Sequence, residues 1–207
     1  MSLEIQAPAG FAPVSAMAFG QVDEEARMVS ADTPLPVTSP GGFFVAQAAF
    51  ARPADTTAYA AGDRVADKTA AATLLEIPGV VRAAGDAARI ERVRLSSGRA
   101  APTLSNASFR VHLFDRAVTV TAADNAAFSA SGVLAVADIA GYLGSVDVTF
   151  DRAGTVGARG VGVPAIGAGI TAAPPVGTSI FAVVEALAAY TPASAEAFTV
   201  AVEGARA

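Results

Sequence analysis

The amino-acid sequence predicts an all-β protein, an antiparallel β-sandwich preceded by an extended N-terminal arm. Two observations indicate this fold: short apolar runs alternate with polar residues as strands do, and turn residues separate these runs. A third is the lack of amphipathic stretches that could form crossover helices between parallel strands. About eight strands are expected, in a sandwich for which the jelly roll is one arrangement. We therefore divide the chain into an arm, residues 1–42, and a sandwich domain, residues 43–207.

The arm is rich in proline and only weakly periodic. Five prolines exclude a long helix in it: Pro8, Pro13, Pro34, Pro36 and Pro40. The arm also carries more apolar side chains than a solvated tail normally does, among them Phe11, Met17, Phe19 and Leu35. We therefore expect it to dock on a partner or a neighbouring subunit, with a disordered tail as the alternative.

The sandwich domain begins with three predicted strands, in residues 43–50, 74–77 and 89–96. Pro78 and Gly79 form a turn that ends the second strand. In the third strand, Ile90 joins the apolar face only if the strand bulges near Glu91.

The most regular alternation lies in residues 108–114, where Phe109, Val111 and Leu113 occupy one face and Arg110, His112 and Phe114 the other. Val118 and Val120 continue this period after a tight connection at Asp115 and Arg116. These residues predict half-buried antiparallel strands.

The last third of the domain combines strands with a long loop. Strands are predicted in residues 142–150, in residues 179–190, and around Val200. The strand at 179–190 is apolar on both faces and is expected to be buried on both. Residues 133–140 could form either a short helix or a strand, and we favour a helical turn because alanine favours helix. The many glycines and prolines of residues 151–178 predict a loop.

Residues 50–67 predict a structural corner between the arm and the sandwich. Arg52-Pro53 favours extended backbone, and the oxygens of Asp55, Thr56 and Thr57 can cap a turn. Gly62-Asp63 permits a positive φ before the strand at Val65. We expect Tyr59 to pack as a structural aromatic side chain.

Composition argues against several classes of function. The chain has no cysteine, which excludes disulfides, thiolate metal sites and a cysteine nucleophile. The net charge is −5 and the arginines are dispersed along the chain, so we expect no nucleic-acid binding. The longest apolar run, residues 180–190, contains Glu185 and is too short to cross a membrane. The N-terminus lacks the pattern of a secretory signal, and we expect synthesis in the cytoplasm.

The titratable residues do not predict a catalytic, cofactor-binding or metal site. His112 is the sole histidine, and no companion ligands or orienting acid lie at informative spacing. The pairs Asp63 with Asp67 and Asp147 with Asp151 could act as the two carboxylates of a glycoside hydrolase, but this is a weak hypothesis. We expect the protein not to be an enzyme.

Residues 160–165 match the relaxed dinucleotide fingerprint G-x-G-x-x-A. That fingerprint needs a strand that runs into a helix, and Pro164 followed by Gly167 and Gly169 argues against a helix. We interpret this stretch as a flexible loop.

Three stretches carry a resemblance to a known family. They are residues 52–63 (RPADTTAYAAGD), residues 109–114 with 123–128 (FRVHLF and ADNAAF), and residues 190–194 (YTPAS) leading to Phe198. Together with lead-in segments at residues 22–24 and 33–38, they resemble virion proteins of tailed bacteriophages, of the head-decoration or cement kind. The resemblance covers roughly residues 44–203 and departs at residues 85–88, where relatives tend to carry a glycine-rich turn.

The resemblance implies a virion component on the exterior of the capsid, made in the host cytoplasm. Its partners would be the major capsid protein and further copies of itself, in a homo-oligomer such as a trimer. No catalytic or ligand-binding residue comes with it. The alternative is a head fibre or a receptor- or glycan-binding sandwich, in which residues 151–178 would form the recognition surface.

Overall fold

The computed structural model describes residues 18–19, 27–28, 42–70, 72–99, 107–128, 133–154, 157–164 and 169–206. The chain divides into two compact units, Met1–Ser39 and Pro40–Ala207. Within the first unit, strand β1 (Ala18–Phe19) pairs antiparallel with β2 (Arg27–Met28). The rest of the predicted arm lies outside the described residues.

The second unit is an all-β sandwich of two antiparallel sheets, which confirms the predicted fold class. The first sheet has the spatial order β3 (Phe43–Ala51), β13 (Ala197–Arg206), β6 (Ala88–Ser97), β10 (Ala158–Gly162) and β9 (Arg152–Ala153), with β11 (Ile170–Ala172) also paired to β6. The second has the order β4 (Arg64–Val65), β12 (Ile180–Ala186), β7 (Ser108–Phe114) and β8 (Tyr142–Thr149), with β5 (Leu75–Ile77) also paired to β12. A four-residue helix, α1 (Val136–Ile139), precedes β8, and no helix among the described residues could span a membrane.

The alternating residues predicted from the sequence form the core between the sheets. Phe109, Val111 and Leu113 of β7 and Val146 and Val148 of β8 are all at most 1% exposed. The rings of Phe150, Tyr190 and Phe198 surround that of Phe109, with centroid distances of 5.2, 5.3 and 5.7 Å. Residues of both sheets belong to this single cluster, and its burial drives the association of the sheets.

The predicted irregularity near Glu91 is confirmed as a β-bulge. Glu203 of β13 lies opposite Arg92, whereas the next residue, Gly204, lies opposite Ile90. Glu91 is thereby left without a counterpart, and both Ile90 and Val93 are fully buried.

The chain between β7 and β8 folds over the outer face of the second sheet. Phe114 and Val183 lie on that face and pack with Val118, Phe128 and Leu134. The predicted continuation of the strand through Val118 and Val120 is therefore wrong, since Val120 makes only an isolated bridge with Leu134. The alternation at Val118 and Val120 reflects burial against the sheet rather than strand pairing. The predicted helical turn in residues 133–140 is confirmed by α1.

The prediction of a loop over residues 151–178 is wrong in part, because β9, β10 and β11 lie within it. Strand β10 pairs with β6 over five residues. The inward residues of β10 are Ala158, Gly160 and Gly162. The backbone of β8 lies directly against the two glycines. The predicted strand of residues 179–190 is shorter than expected and ends at Ala186.

Candidate functional site

The corner at residues 50–67 holds a buried polar network at one end of the sandwich. The Arg52 side chain is fully buried and that of Asp124 is 1% exposed, and the Nη2 to Oδ2 distance of this ion pair is 3.1 Å. Arg52 Nε also donates to the hydroxyl of Tyr59 at 2.8 Å, and that hydroxyl donates to Asp124 Oδ1 at 2.6 Å. The amide of Ala66 completes the shell of Asp124 at 2.8 Å. Each charged group thus has several partners, as buried charges require.

The electrostatics of this network hold its charges fixed at physiological pH. Burial, followed by the hydrogen bond to Asp124, raises the pKa of Tyr59 far above its ordinary value, so the phenol stays protonated. Burial alone would lower the pKa of Arg52, but hydrogen bonds to Tyr59 and Asp55 outweigh it and raise the pKa. Neither Tyr59 nor Arg52 titrates near neutrality, so neither is suited to act as a general acid or base there.

A second buried carboxylate lies beside this network. Glu196 is 3% exposed and accepts hydrogen bonds from the Tyr190 hydroxyl, the Ser97 hydroxyl and the Ala193 amide. The rings of Tyr190 and Tyr59 stack with centroids 6.1 Å apart. Residues from all three stretches that carry the family resemblance therefore meet at this end of the sandwich.

The predicted turn chemistry of the corner is confirmed, but the prediction that the corner joins the arm to the sandwich is wrong, because it connects β3 of the first sheet to β4 of the second. Asp55 accepts the amide of Thr57 at 2.9 Å, and this bond, together with Arg52, lowers the pKa of Asp55. Asp63 accepts the amide of Ala60 at 2.6 Å, and Gly62 has a φ of 94°. Tyr59 is 1% exposed, as expected of a structural aromatic side chain.

Sequence reasoning missed a cavity of about 360 Å³ beside the corner. Val65 lies opposite Val184 and Leu75 opposite Ala182, so the described residues between them, 66–70 and 72–74, form an excursion from the sheet edge opposite a single residue of β12. This excursion and the end of β3 enclose the cavity. The pairing of two short strands to one edge depends on long-range contacts, and no local pattern indicates it.

Arg64 forms part of the cavity wall and is 2% exposed. Its Nη1 donates to the carbonyl of Ala122 at 2.6 Å and its Nη2 to the carbonyl of Thr73 at 2.5 Å. Its Nε is buried and has no hydrogen-bond partner among the described residues. The sequence contained a signal for a buried arginine, because Arg64 begins β4 and the two residues that follow it, Val65 and Ala66, are apolar.

His112 lies on the outer face of β7, as predicted, and is 9% exposed beneath the ring of Phe128. Its Nε2 is 2.8 Å from Oε2 of Glu185, and its Nδ1 is 3.2 Å from the hydroxyl of Tyr142. A neutral ring with its proton on Nε2 satisfies both contacts. Burial lowers the pKa of His112 and outweighs the opposing hydrogen bond to Glu185; the charge of neighbouring Arg110 also lowers it, whereas that of Asp147 raises it.

The stability of the protein should therefore fall as the pH decreases below 6.5, the ordinary pKa of histidine. The unfolded chain binds a proton at a higher pH than the folded chain, so protonation favours unfolding by up to about 1.4 kcal/mol per pH unit. Replacing His112 with Gln should flatten the stability profile below pH 6.5. Urea unfolding at a series of pH values measures this; an unchanged profile in H112Q would contradict the assignment. The lowered pKa values of Asp55 and Asp147 affect stability only below pH 3.8, the ordinary pKa of aspartate.

The four aspartates weighed as catalytic pairs have separate contacts. Asp147 forms a two-bond ion pair with Arg110, at 2.6 and 2.9 Å, which lowers the pKa of Asp147. Asp67 accepts the amide of Thr73 at 3.0 Å. No group of three or more possible metal ligands occurs in the part of the chain that the structure describes.

The dinucleotide-like stretch begins inside a strand rather than at a strand-to-helix turn. Gly160 and Gly162 belong to β10, and the chain after it is not helical through Pro164. A β-carbon on either glycine would lie within 2.3 Å of a backbone oxygen of β8. These glycines serve packing, and the interpretation as a flexible loop is wrong for the strand residues.

Strand β3 forms one edge of the first sheet, since it pairs only with β13 among the described strands. Its nine residues, FFVAQAAFA, include no charged side chain and no proline. Phe43 is 88% exposed and Val45 is 62% exposed. A long uncharged edge of this kind can accept a further strand.

The chain matches no protein-family model, and none of the curated proteins is significantly similar to it in sequence.

Proposed function

We propose that the protein is a non-enzymatic structural component of a bacteriophage particle, a decoration or cement protein of the capsid exterior. It binds the major capsid protein as a homo-oligomer, such as a trimer, and reinforces the contacts between capsid subunits. Binding to assembled but not to dissociated subunits stabilises the particle by mass action. The class of protein comes from the sequence resemblance, and the open edge of β3 supports it.

The observation that carries the proposal is the uncharged edge of β3, which pairs with no strand other than β13 among the described residues. A soluble β-protein normally protects such an edge with charged residues, proline or a covering segment, because exposed backbone groups recruit other strands. Here Phe43 and Val45 add exposed apolar surface to the same strand. Strand addition at this edge supplies backbone hydrogen bonds, and the exposed side chains supply contact area with a neighbouring subunit.

Replacing Val45 with Lys should abolish binding to particles that lack the protein, because a charge on β3 opposes strand addition. Val161 is the matched control: it is 54% exposed, it lies on β10, which β13 and β6 separate from β3, and V161K should bind like the wild type. Binding is measured by co-sedimentation with the particles. Reinforcement is measured by the temperature at which the particles release their genome. Wild-type protein should raise that temperature. Particles equally heat-stable with and without it would overturn the reinforcing role.

A groove of about 490 Å³ favours a second candidate function, ligand recognition by a head fibre. Arg152 and Arg159 line it together with Ser96 and Thr199, so it offers cations and hydroxyls to an acidic sugar. The copy number in purified particles distinguishes the two functions. A number comparable to that of the major capsid protein supports decoration, whereas a few copies per particle, with host-surface binding that R159A abolishes, supports the fibre.

A further inference from the structure

We propose that the cavity beside Arg64 is a binding site for a small aliphatic carboxylate. The site lies between the end of β3 and the described residues Ala66, Asp67, Thr73 and Leu74. It is independent of the role in the particle, and its ligand class follows from the one buried cation and the walls around it.

Arg64 is a buried charge that no carboxylate in the described part of the chain contacts directly. No carboxylate of the described residues lies within 4.0 Å of its guanidinium, whereas Arg52 has both Asp55 and Asp124. An arginine remains charged in a protein interior, and a buried charge without a partner is strongly unfavourable. Two backbone carbonyls satisfy part of its hydrogen-bonding capacity but supply no negative charge. A bound anion would supply that charge.

The guanidinium of Arg64 keeps hydrogen-bond donors that no acceptor of the described residues uses. The Nε–H has no partner, and Nη2 keeps a second hydrogen after it donates to Thr73. Nε and Nη2 lie on one side of the planar guanidinium, where the two oxygens of a carboxylate can accept two parallel hydrogen bonds. Burial lowers the pKa of Arg64 and outweighs the charges of Asp67 and Asp124, which raise it, so these carboxylates do not fully offset the desolvation of the guanidinium.

The size, the walls and the charges of the cavity select the class of anion. The cavity of about 360 Å³ is large enough for a small ligand, and Phe50, Val65, Leu75 and Val184 give it apolar walls. Among the described residues that line the cavity, Arg64 is the single cation and Asp67 the single acid. One cation beside one acid disfavours a multiply charged anion such as phosphate. A carboxylate with a short hydrocarbon chain matches both the charge and the walls.

The test is a titration of the full chain with sodium isobutyrate, followed through the NMR signals of the arginine Nε–H groups. One signal, absent in R64K, should shift saturably, and the shift should not occur with sodium chloride at equal ionic strength. The neutral isostere isobutyramide should bind at least about tenfold more weakly, because it cannot form charge-assisted hydrogen bonds. Saturating isobutyrate should also raise the melting temperature.

Two variants sharpen the test. D67N removes the acid from the wall and should tighten isobutyrate binding severalfold, because a like charge no longer opposes the ligand. R116K changes an exposed arginine that pairs with Asp115, and it should leave the binding unchanged. The proposal is overturned if no arginine signal shifts saturably, if isobutyrate and isobutyramide bind equally, if inorganic phosphate binds more tightly than isobutyrate, or if D67N weakens binding. The wild-type titration decides the question even if R64K fails to fold.

Discussion

Replacing Arg52 with Met should lower the free energy of unfolding of the sandwich by about 3–5 kcal/mol. The Arg52 side chain is fully buried, and its removal leaves the carboxylate of Asp124 in the interior without its cation. Met fills much of the same volume, so the loss reports the charge rather than a cavity. Urea unfolding measures the effect as a lower transition midpoint at an unchanged slope.

A matched control and a second substitution separate the buried pair from arginine loss in general. Arg110 pairs with Asp147 at 2.6 Å, but the two side chains are 38% and 53% exposed, so R110M should cost no more than about 1 kcal/mol. Adding Asp124→Asn to R52M should restore part of the stability, because the unpaired charge is then removed. If R52M were no more destabilising than R110M, the network would not be what holds the corner together.

The strand pattern could be predicted from the sequence because it depends on local alternation. In residues 108–114 the period of two places Phe109, Val111 and Leu113 in the core and His112 on the opposite face, as the structure has them. The bulge at Glu91 followed from the same rule, since Ile90 could reach the core in no other way.

The polar features could not be predicted because they join distant parts of the chain. Asp124 meets Arg52 across 72 residues, and no spacing rule connects two such positions. The cavity at Arg64 depends on where β4 and β5 pair along β12, which is a property of the assembled sheet. His112, in contrast, could be placed on its face but not paired with Glu185 until the order of β7 and β12 was known.

Strand β10 escaped prediction for a different reason. Its inward residues include Gly160 and Gly162, so the apolar alternation that marks other strands is missing. Glycine normally weakens a strand and marks a turn or a close backbone approach. In β10 the glycines mark a close backbone approach, because β10 and β8 belong to different sheets and their backbones meet at the edge of the sandwich.

Replacing Gly160 with Ala should therefore destabilise the protein by roughly 3 kcal/mol, the upper end of the usual cost of overpacking. A β-carbon at this position would lie 2.1 Å from the carbonyl oxygen of Thr149 and 2.9 Å from Cγ1 of Val148. The first of these is a backbone atom, so a change of rotamer cannot relieve the clash. The two sheets would have to separate locally, with loss of contacts in the core around Val148.

Gly98→Ala is the matched control for this prediction. A β-carbon on Gly98 has its nearest neighbour at 3.7 Å, an ordinary contact, and the φ of Gly98 lies outside the left-handed region. Ala at such a position reduces the entropy of the unfolded chain and should be neutral or stabilising by up to about 1 kcal/mol. Thermal and urea unfolding of the two variants compare them directly. Equal stabilities would mean that β10 does not lie against β8 in solution, whereas a large difference would establish that glycine at position 160 is required for the two sheets to close.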